Sequence, residues 1–379
     1  MKNAVLALLV SLVTLEAFSF AATKANLLLF NEYPGIYQSR YSGNNWRTQK
    51  DPWGAWHKPN ATDRHQSRCF DVSYASNEVG ARDTKFERVK PDGRIRYLLI
   101  GDSFAEGYGV NFEETAQARL EKLLGADVYN FGSAAYFGPV QYYLIYKNLA
   151  KQFQHDGLIL FFLPANDFTD NDYSLWKNFH PSWYRPYYKR ADNGHYDIFY
   201  PDQAVPKERF ENEVEVNSVR QFLIRYLARY TFTFNTLRTI KYLVSRSPLE
   251  KLGYSGYFDA PREEQEAALY FIEKLVHEAG PRKIMIFVIP NGEDMNRIRA
   301  GNSYKDQYWF SKLRSLKSAN LNVELVDMAD QMPDDYAKLF LTCDSHWNAL
   351  GNKKAAEMMA ARLRTLTGRY DRPSLIKHN

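Results

Sequence analysis

Cysteine and dense runs of like charge are scarce in this sequence, and their scarcity excludes several classes of protein. The 379 residues include only two cysteines, Cys69 and Cys343, too few for a cysteine-ligated metal cluster or a disulfide-dense scaffold. The formal net charge is +5 without a concentrated basic run, so we predict no nucleic-acid partner. The histidines lack the paired spacing of a zinc site such as His-Glu-x-x-His. We therefore predict neither a metal nor another cofactor.

The N-terminus supplies the long apolar run that the rest of the chain lacks. Residues 4–22 are almost entirely apolar and follow the positive charge of Lys2, which is typical of a signal peptide or an N-terminal membrane anchor over residues 1–22. Ser19-Phe20-Ala21 is a candidate cleavage site, whereas Glu16 disfavours a membrane-spanning helix. Both readings predict export, with the protein in the periplasm or anchored facing the periplasm or exterior, and a buried N-terminal helix is the remaining alternative. In such a compartment the two cysteines either form a disulfide or remain separate thiols.

Beyond an N-terminal wrap at residues 23–94, short aliphatic runs alternate with amphipathic helical patterns. Continuous apolar strands between helices indicate a parallel sheet that is covered on both faces. We predict a doubly wound, flavodoxin-like three-layer α/β/α fold formed by residues 95–172 and 262–370. The intervening residues 173–261 exceed what such a core needs and predict an inserted helical lid.

Polar groups follow the predicted strands at the sheet edge where ligands bind in this class of fold. Ser103 follows the strand "RYLLIG", Gly132 ends "DVYNFG", and Asn166 lies in "PAND" after a third strand. His346, two residues after Asp344, precedes the last predicted helix. An imidazole can accept the proton of a serine hydroxyl and return it to a leaving group, and a carboxylate can orient that imidazole.

These four blocks, in this order, resemble the SGNH hydrolases, also called the GDSL-like lipase/esterase family, over about residues 95–170 and 280–367. The resemblance implies Ser103 as nucleophile, with His346 and Asp344 as the other triad members. It implies an oxyanion hole formed by Ser103, Gly132 and Asn166. Two departures stand out: the first block reads GDSF, and a single residue separates Asp344 from His346, which leaves the orienting role of Asp344 open.

Each block has an ordinary structural alternative when taken alone. Gly-Asp-Ser after a strand occurs in simple turns, Asn166 could cap a helix, and Asp344-x-His346 could be the start of a helix with a structural histidine. Their occurrence together, each at a strand end or a helix start, favours the hydrolase site.

The lid segment, residues 173–261, has two unusual parts. Its first part is rich in aromatic and basic residues, and we predict that Trp176, Trp183 and Tyr187 bind substrate by stacking on a sugar ring or lining an acyl pocket. The second part has no acidic residue between Val216 and Leu249 and carries six basic ones: Arg220, Arg225, Arg229, Arg238, Lys241 and Arg246. This pattern fits either a helix on an anionic membrane or glycan or a cap helix with a solvated basic face.

The sequence thus predicts an exported serine esterase that hydrolyses an acyl ester. The motif Asp-x-His-Trp-Asn is similar to that of exported relatives acting on bacterial polysaccharides, which favours an acylated cell-envelope glycan as substrate. Three alternatives remain open at this point. They are an O-acyltransferase of a polysaccharide, a lipid esterase or lysophospholipase, and a non-catalytic glycan-binding module.

Overall fold

A computed structural model describes residues 2–25, 27, 33–35, 46–177, 183–208, 218–245, 253–319 and 322–367. Parts of the predicted wrap and lid segment, Arg246 and residues 368–370 lie outside these ranges. The strands are β1 (Arg47–Asp51), β2 (Gly54–His57), β3 (Thr62–Gln66), β4 (Asp71–Ala75), β5 (Arg96–Gly101), β6 (Asp127–Gly132), β7 (Gly157–Phe162), β8 (Tyr187–Arg190), β9 (Tyr196–Phe199), β10 (Lys283–Val288) and β11 (Val323–Asp327).

The α-helices are α1 (Lys2–Lys24), α2 (Ser103–Glu106), α3 (Ala116–Leu124), α4 (Pro139–Asn148), α5 (Pro164–Asp167), α6 (Tyr173–Trp176), α7 (Val219–Tyr230), α8 (Phe232–Ser245), α9 (Gly256–Asp259), α10 (Arg262–Ala279), α11 (Gly292–Arg299), α12 (Tyr308–Ala319) and α13 (Ala349–Thr367). Short 3₁₀ helices span Phe112–Glu114, Ala150–Gln152, Met328–Gln331 and Tyr336–Leu339.

Five parallel strands form the central sheet in the order β11-β10-β7-β5-β6. Numbered along the chain within the sheet, this is the order 2-1-3-4-5 of flavodoxin-like folds. The predicted doubly wound sheet is therefore confirmed. Because β5 lies between β6 and β7, the carboxyl ends of these three strands are adjacent at one edge of the sheet.

Alternating side chains of each strand fill two separate cores, one on each face of the sheet. Leu98 and Ile100 of β5 pack in the core shared with α4, α10 and α12, while Leu99 packs in the core shared with α3 and α13. Residues of β5, β6 and β7 are buried almost without exception. Period-2 alternation between two buried faces explains why these strands read as continuous apolar runs.

The wrap and the lid segment add small elements around this core. The described part of the wrap forms two antiparallel hairpins, β1–β2 and β3–β4. The lid segment is not purely helical, because β8 and β9 pair as an antiparallel hairpin. Its turn ends at Gly194, whose φ of 80° is in the left-handed region that glycine adopts without strain. An antiparallel bridge between Gln49 and Lys207 joins the wrap to the lid segment.

Candidate active site

Ser103 is the first residue of α2, immediately beyond β5. Asp102 is the N-cap of this short helix, and its Oδ1 accepts a hydrogen bond from the Phe104 backbone N–H at 2.9 Å. The helix ends after one turn at Gly107, which has a φ of 83°. The Ser103 hydroxyl is thus presented at the sheet edge, and its backbone N–H lies in the first helical turn, where N–H groups have no intrahelical acceptor.

The structure brings His346 and Asp344 to this serine. The Ser103 hydroxyl donates to His346 Nε2 at 2.6 Å, and His346 Nδ1 donates to Asp344 Oδ1 at 2.5 Å. The His346 backbone N–H also donates to Asp344 Oδ1, at 3.0 Å. The single intervening residue therefore permits both a main-chain and a side-chain bond between the pair. This is the geometry in which a histidine can take a proton from a serine hydroxyl.

Electrostatics at the histidine favour its charged form. Burial alone would lower the pKa of His346, but the charge of Asp344 and its hydrogen bond outweigh burial, so the pKa is raised above its usual value. Burial would likewise raise the pKa of Asp344, yet the charge and hydrogen bonds of His346 leave it lowered. An imidazolium at this position is thus stabilised in place.

Two aromatic rings from the serine block flank the imidazole, and sequence reasoning missed them. The Tyr108 ring stacks on His346 with centroids 4.1 Å apart, and the Phe104 ring lies 5.1 Å away. Phe104 and Tyr108 follow Ser103 by one and five residues, and this proximity in sequence was the signal that could have placed them at the site. Packing against both rings limits rotation of the imidazole, so its Nε2 stays directed at the serine.

The loop that carries His346 is closed by local and long-range ties. An antiparallel bridge joins Phe340 to Trp347, and the Leu341 backbone N–H donates to the His346 carbonyl at 2.8 Å. Cys343 forms a disulfide with Cys69, which is 274 residues away in sequence. Of the two alternatives for the cysteines, the structure therefore has the disulfide, which attaches the wrap to the loop beside Asp344.

Gly132, predicted as an oxyanion donor, lies at the end of β6 against the serine helix. A Cβ at this position would be 2.5 Å from the Glu106 backbone nitrogen and 2.6 Å from Ala105 Cβ, so only glycine permits this approach. Its N–H donates to Asn130 Oδ1 at 2.8 Å. The predicted donor is adjacent to the serine helix but already has an acceptor within the chain.

Asn166, the other predicted donor, is held by two buried carboxylates that the sequence analysis did not assign. Its Nδ2 donates to Asp102 Oδ2 at 3.2 Å and to Asp170 Oδ2 at 3.1 Å, while its Oδ1 is buried without a hydrogen-bond partner. Burial raises the pKa of Asp102. Burial, only partly offset by the charge of Arg185, raises the pKa of Asp170 to about 7. The i, i+4 spacing of Asn166 and Asp170 was the signal for this contact.

A buried ion pair joins the wrap to the serine helix α2, and the same two side chains bond to the loop after Gly132. Arg47 Nη2 donates to Glu106 Oε2 at 3.1 Å, and Arg47 Nη1 donates to Ser133 Oγ at 3.1 Å. The Ala134 backbone N–H donates to the same Glu106 carboxylate. Burial alone would raise the pKa of Glu106, but the charges of Arg47 and His57 hold it well below its usual range. Glu106 therefore stays charged and fixes the loop that follows Gly132.

The three aromatic residues predicted to bind substrate differ in exposure. Tyr187 and Trp183 are 1% and 6% exposed, so neither presents a ring face to a ligand in this structure. Trp176 is half-buried, and its ring centroid lies 4.5 Å from that of Tyr136, which is 44% exposed. The Arg185 guanidinium lies over the Trp176 and Tyr187 rings. Tyr187 is buried because its ring packs against Tyr173 and Phe199, with centroids 5.2 and 6.1 Å away.

No family model and no curated protein matches the chain, but solved structures do. A G-D-S-L family lipolytic protein from Desulfitobacterium hafniense DCB-2 is 14% identical, with a TM-score of 0.36 over 71% of this chain and 99% of its own. A lipase/acylhydrolase from Enterococcus faecalis is 12% identical, with a TM-score of 0.36 over 72% and 96%. A carbohydrate esterase is 13% identical, with a TM-score of 0.35 over 73% and 67%.

Proposed function

We propose that this protein is a serine esterase of the SGNH type, with Ser103 as nucleophile, His346 as general base and acid, and Asp344 as the group that orients the imidazole. One observation carries the proposal. The Ser103 hydroxyl, the imidazole and the Asp344 carboxylate form a continuous hydrogen-bonded chain with donor–acceptor distances of 2.6 and 2.5 Å. A chain of this kind is what activates a serine hydroxyl near neutral pH.

The reaction proceeds in two balanced halves. Ser103 Oγ attacks the acyl carbonyl while His346 Nε2 takes the hydroxyl proton. The tetrahedral intermediate then expels the alkoxide, which receives that proton, and the acyl group remains on the serine. A water molecule attacks the acyl-enzyme with His346 again as base, and the carboxylic acid leaves as the serine regains its proton.

The negative charge on the carbonyl oxygen needs donors, and we propose the Ser103 N–H, the Gly132 N–H and the Asn166 amide. Because Gly132 and Asn166 already donate within the chain, the developing oxyanion must share or replace those acceptors. Burial raises the pKa of Asp170 to about 7, so this carboxyl is partly protonated near neutral pH, which weakens its repulsion of an adjacent oxyanion. One such donor is worth about 3–4 kcal/mol in the transition state.

The proposed substrate is an acyl ester on a cell-envelope glycan, with the enzyme exported. The half-exposed Trp176 and the exposed Tyr136 offer a ring surface beside the loop that follows Gly132, and aromatic faces stack on apolar ring faces of ligands. The apolar helix α1 is compatible with a signal peptide or an anchor, and a disulfide persists in oxidising compartments.

The test is turnover of p-nitrophenyl acetate and of acetylated glycan by purified protein. Ser103→Ala and His346→Ala should each lower kcat by about 10⁴- to 10⁶-fold. Ser311→Ala, which removes an exposed hydroxyl from α12, is the matched control and should retain full activity. Full activity in Ser103→Ala would overturn the proposal. Acetate found on an added acceptor sugar, in place of free acetate, would identify transfer to a sugar hydroxyl as the second half-reaction.

A further inference from the structure

The N-terminal helix is attached to the rest of the chain by specific contacts. α1 is long and apolar enough to cross a membrane. Most of it is exposed, but Ser19, Ala22 and Thr23 near its C-terminal end are buried. The Phe20 ring packs edge-on against Phe232 of α8 with centroids 5.1 Å apart. Small residues at a helix contact permit close approach, as between helices in membranes.

Glu16, the one acid within the apolar run, has a defined partner. Its carboxylate accepts the backbone N–H groups of Phe232 and Thr233 at 2.6 and 2.9 Å. These are the first two residues of α8, so Glu16 caps the positive end of that helix. The charge that disfavoured a membrane-spanning helix in the sequence is thus satisfied by the folded chain. The candidate cleavage site at residues 19–21 lies inside α1, at the surface that packs on α8.

The helix that precedes α8 exposes an apolar face. In α7, Val219, Phe222, Leu223, Tyr226 and Tyr230 recur with the spacing of one helical face. All five are more than two-fifths exposed, Val219 most at 76%. Exposed apolar patches of this kind mark a surface that binds another protein or a membrane.

Basic side chains border this face and continue into α8. They are exposed and comprise Arg220, Arg225, Arg229, Arg238 and Lys241. The sequence from Val216 to Leu249 contains no acidic residue. An apolar face with aromatic residues and a basic border is the pattern of a helix lying in the interface of an anionic bilayer.

We propose that α1 is retained as a membrane anchor and that α7 and α8 lie in the interface of the same bilayer, with the apolar face of α7 inserted among anionic phospholipids. Continuity with α1 is what selects a bilayer as the occupant. With Lys24 among the headgroups, Glu16 lies eight residues away and about 12 Å deeper along a helix. This places the Glu16 carboxylate and the first turn of its partner α8 about 5 Å inside the hydrocarbon core. A carboxylate is tolerated at that depth because it is hydrogen-bonded to the helix end.

The proposal makes two measurements decisive on the full chain. The first is the intact mass of protein purified from membranes, which should include residues 2–24. A mature chain that begins at residue 22 or 23 would overturn the retained anchor. This result is independent of the esterase activity.

The second measurement locates α7 relative to lipid. Both native cysteines are in the disulfide, so a thiol-reactive NBD dye marks only a new cysteine. Phe222→Cys places the dye on the apolar face of α7, and Gln221→Cys, on the polar face, is the matched control. In vesicles of phosphatidylcholine and phosphatidylglycerol, the emission of NBD at position 222 should shift to the blue. Doxyl lipids should quench this emission at least about threefold more strongly than the emission of NBD at position 221.

Two outcomes overturn the placement of α7 in the bilayer, and a third overturns the choice of anionic lipid. Equal, weak quenching at both positions would mean that α7 lies in water. The blue shift at position 222 could instead appear in detergent, depend on protein concentration and be insensitive to doxyl lipid. That result would mean that a second copy of this chain covers the apolar face of α7. Quenching that is the same in vesicles without phosphatidylglycerol would contradict the role of the basic border.

Discussion

Removing the disulfide should destabilise the protein far more than it slows the reaction. The perturbation is the double variant Cys69→Ser, Cys343→Ser, which leaves no free thiol. The bridge closes a loop of 274 residues, for which the chain-entropy relation gives about 19 cal/mol/K, or about 5.6 kcal/mol at 25 °C. With an unfolding entropy of about 2.1 cal/mol/K per residue, the 379-residue chain should lose about 7 °C in Tm.

The reaction should be less affected because the loop has other ties. The bridge from Phe340 to Trp347 and the Leu341 N–H bond to the His346 carbonyl hold the histidine without the disulfide. We expect kcat for p-nitrophenyl acetate at 25 °C to fall by less than about tenfold, which corresponds to about 1.4 kcal/mol. Calorimetry and kinetics on the variant, and on wild type with reductant, measure both quantities. A Tm change below about 2 °C, or an activity loss as large as that of Ser103→Ala, would refute the reasoning.

Three further substitutions test separate parts of the site. Asp344→Asn should lower kcat by about 10²- to 10⁴-fold. It should also move the acid limb of the rate profile to lower pH, because Asp344 raises the pKa of His346 and the neutral imidazole is the base; an unmoved limb would contradict that role. Burial raises the folded-state pKa of Asp170 to about 7. The contribution of this group to the free energy of unfolding is therefore greatest at low pH and is lost as the pH rises through 7. Asp170→Asn should remove this pH dependence of stability, which is measured as the difference between urea midpoints at pH 5 and 7.5. It should also change kcat more than KM, because Asp170 holds Asn166. A change in KM alone would contradict this role of Asp170. Trp176→Ala should raise KM for acylated glycan about 2- to 10-fold and leave the turnover of p-nitrophenyl acetate unchanged. Equal losses on both substrates would show that the Trp176 ring packs within the protein and does not bind substrate.

Local patterns predicted the parts of the fold that depend on local chemistry. β5 and β6 begin and end where the sequence places them, because each short hydrophobic segment ends in a glycine, Gly101 in β5 and Gly132 in β6. Ser103, Asp344 and His346 could be chosen as site residues because each lies in a short motif at a strand end or a helix start. The parallel sheet places all the strand ends at one edge. Because β10 and β7 lie between β11 and β5, the loop that carries Asp344 and His346 must also run along that edge to reach Ser103.

Contacts between distant segments could not be predicted in the same way. Arg47 reaches Glu106 across 59 residues, and both are ordinary charged residues in sequence. Tyr187 resembled a substrate-binding aromatic because composition does not reveal which side of a hairpin faces inward. Glu16 read as an obstacle to a membrane helix until its partner in α8, 216 residues away, was known.

Covalent labelling with a fluorophosphonate tests most directly whether Ser103 is an activated nucleophile. Peptide mass spectrometry of the labelled protein should find the phosphonate on Ser103, with labelling at least about 10³-fold slower in His346→Ala and unchanged in Ser311→Ala. Labelling of another serine, or labelling of Ser103 at the same rate when His346 is absent, would contradict the account.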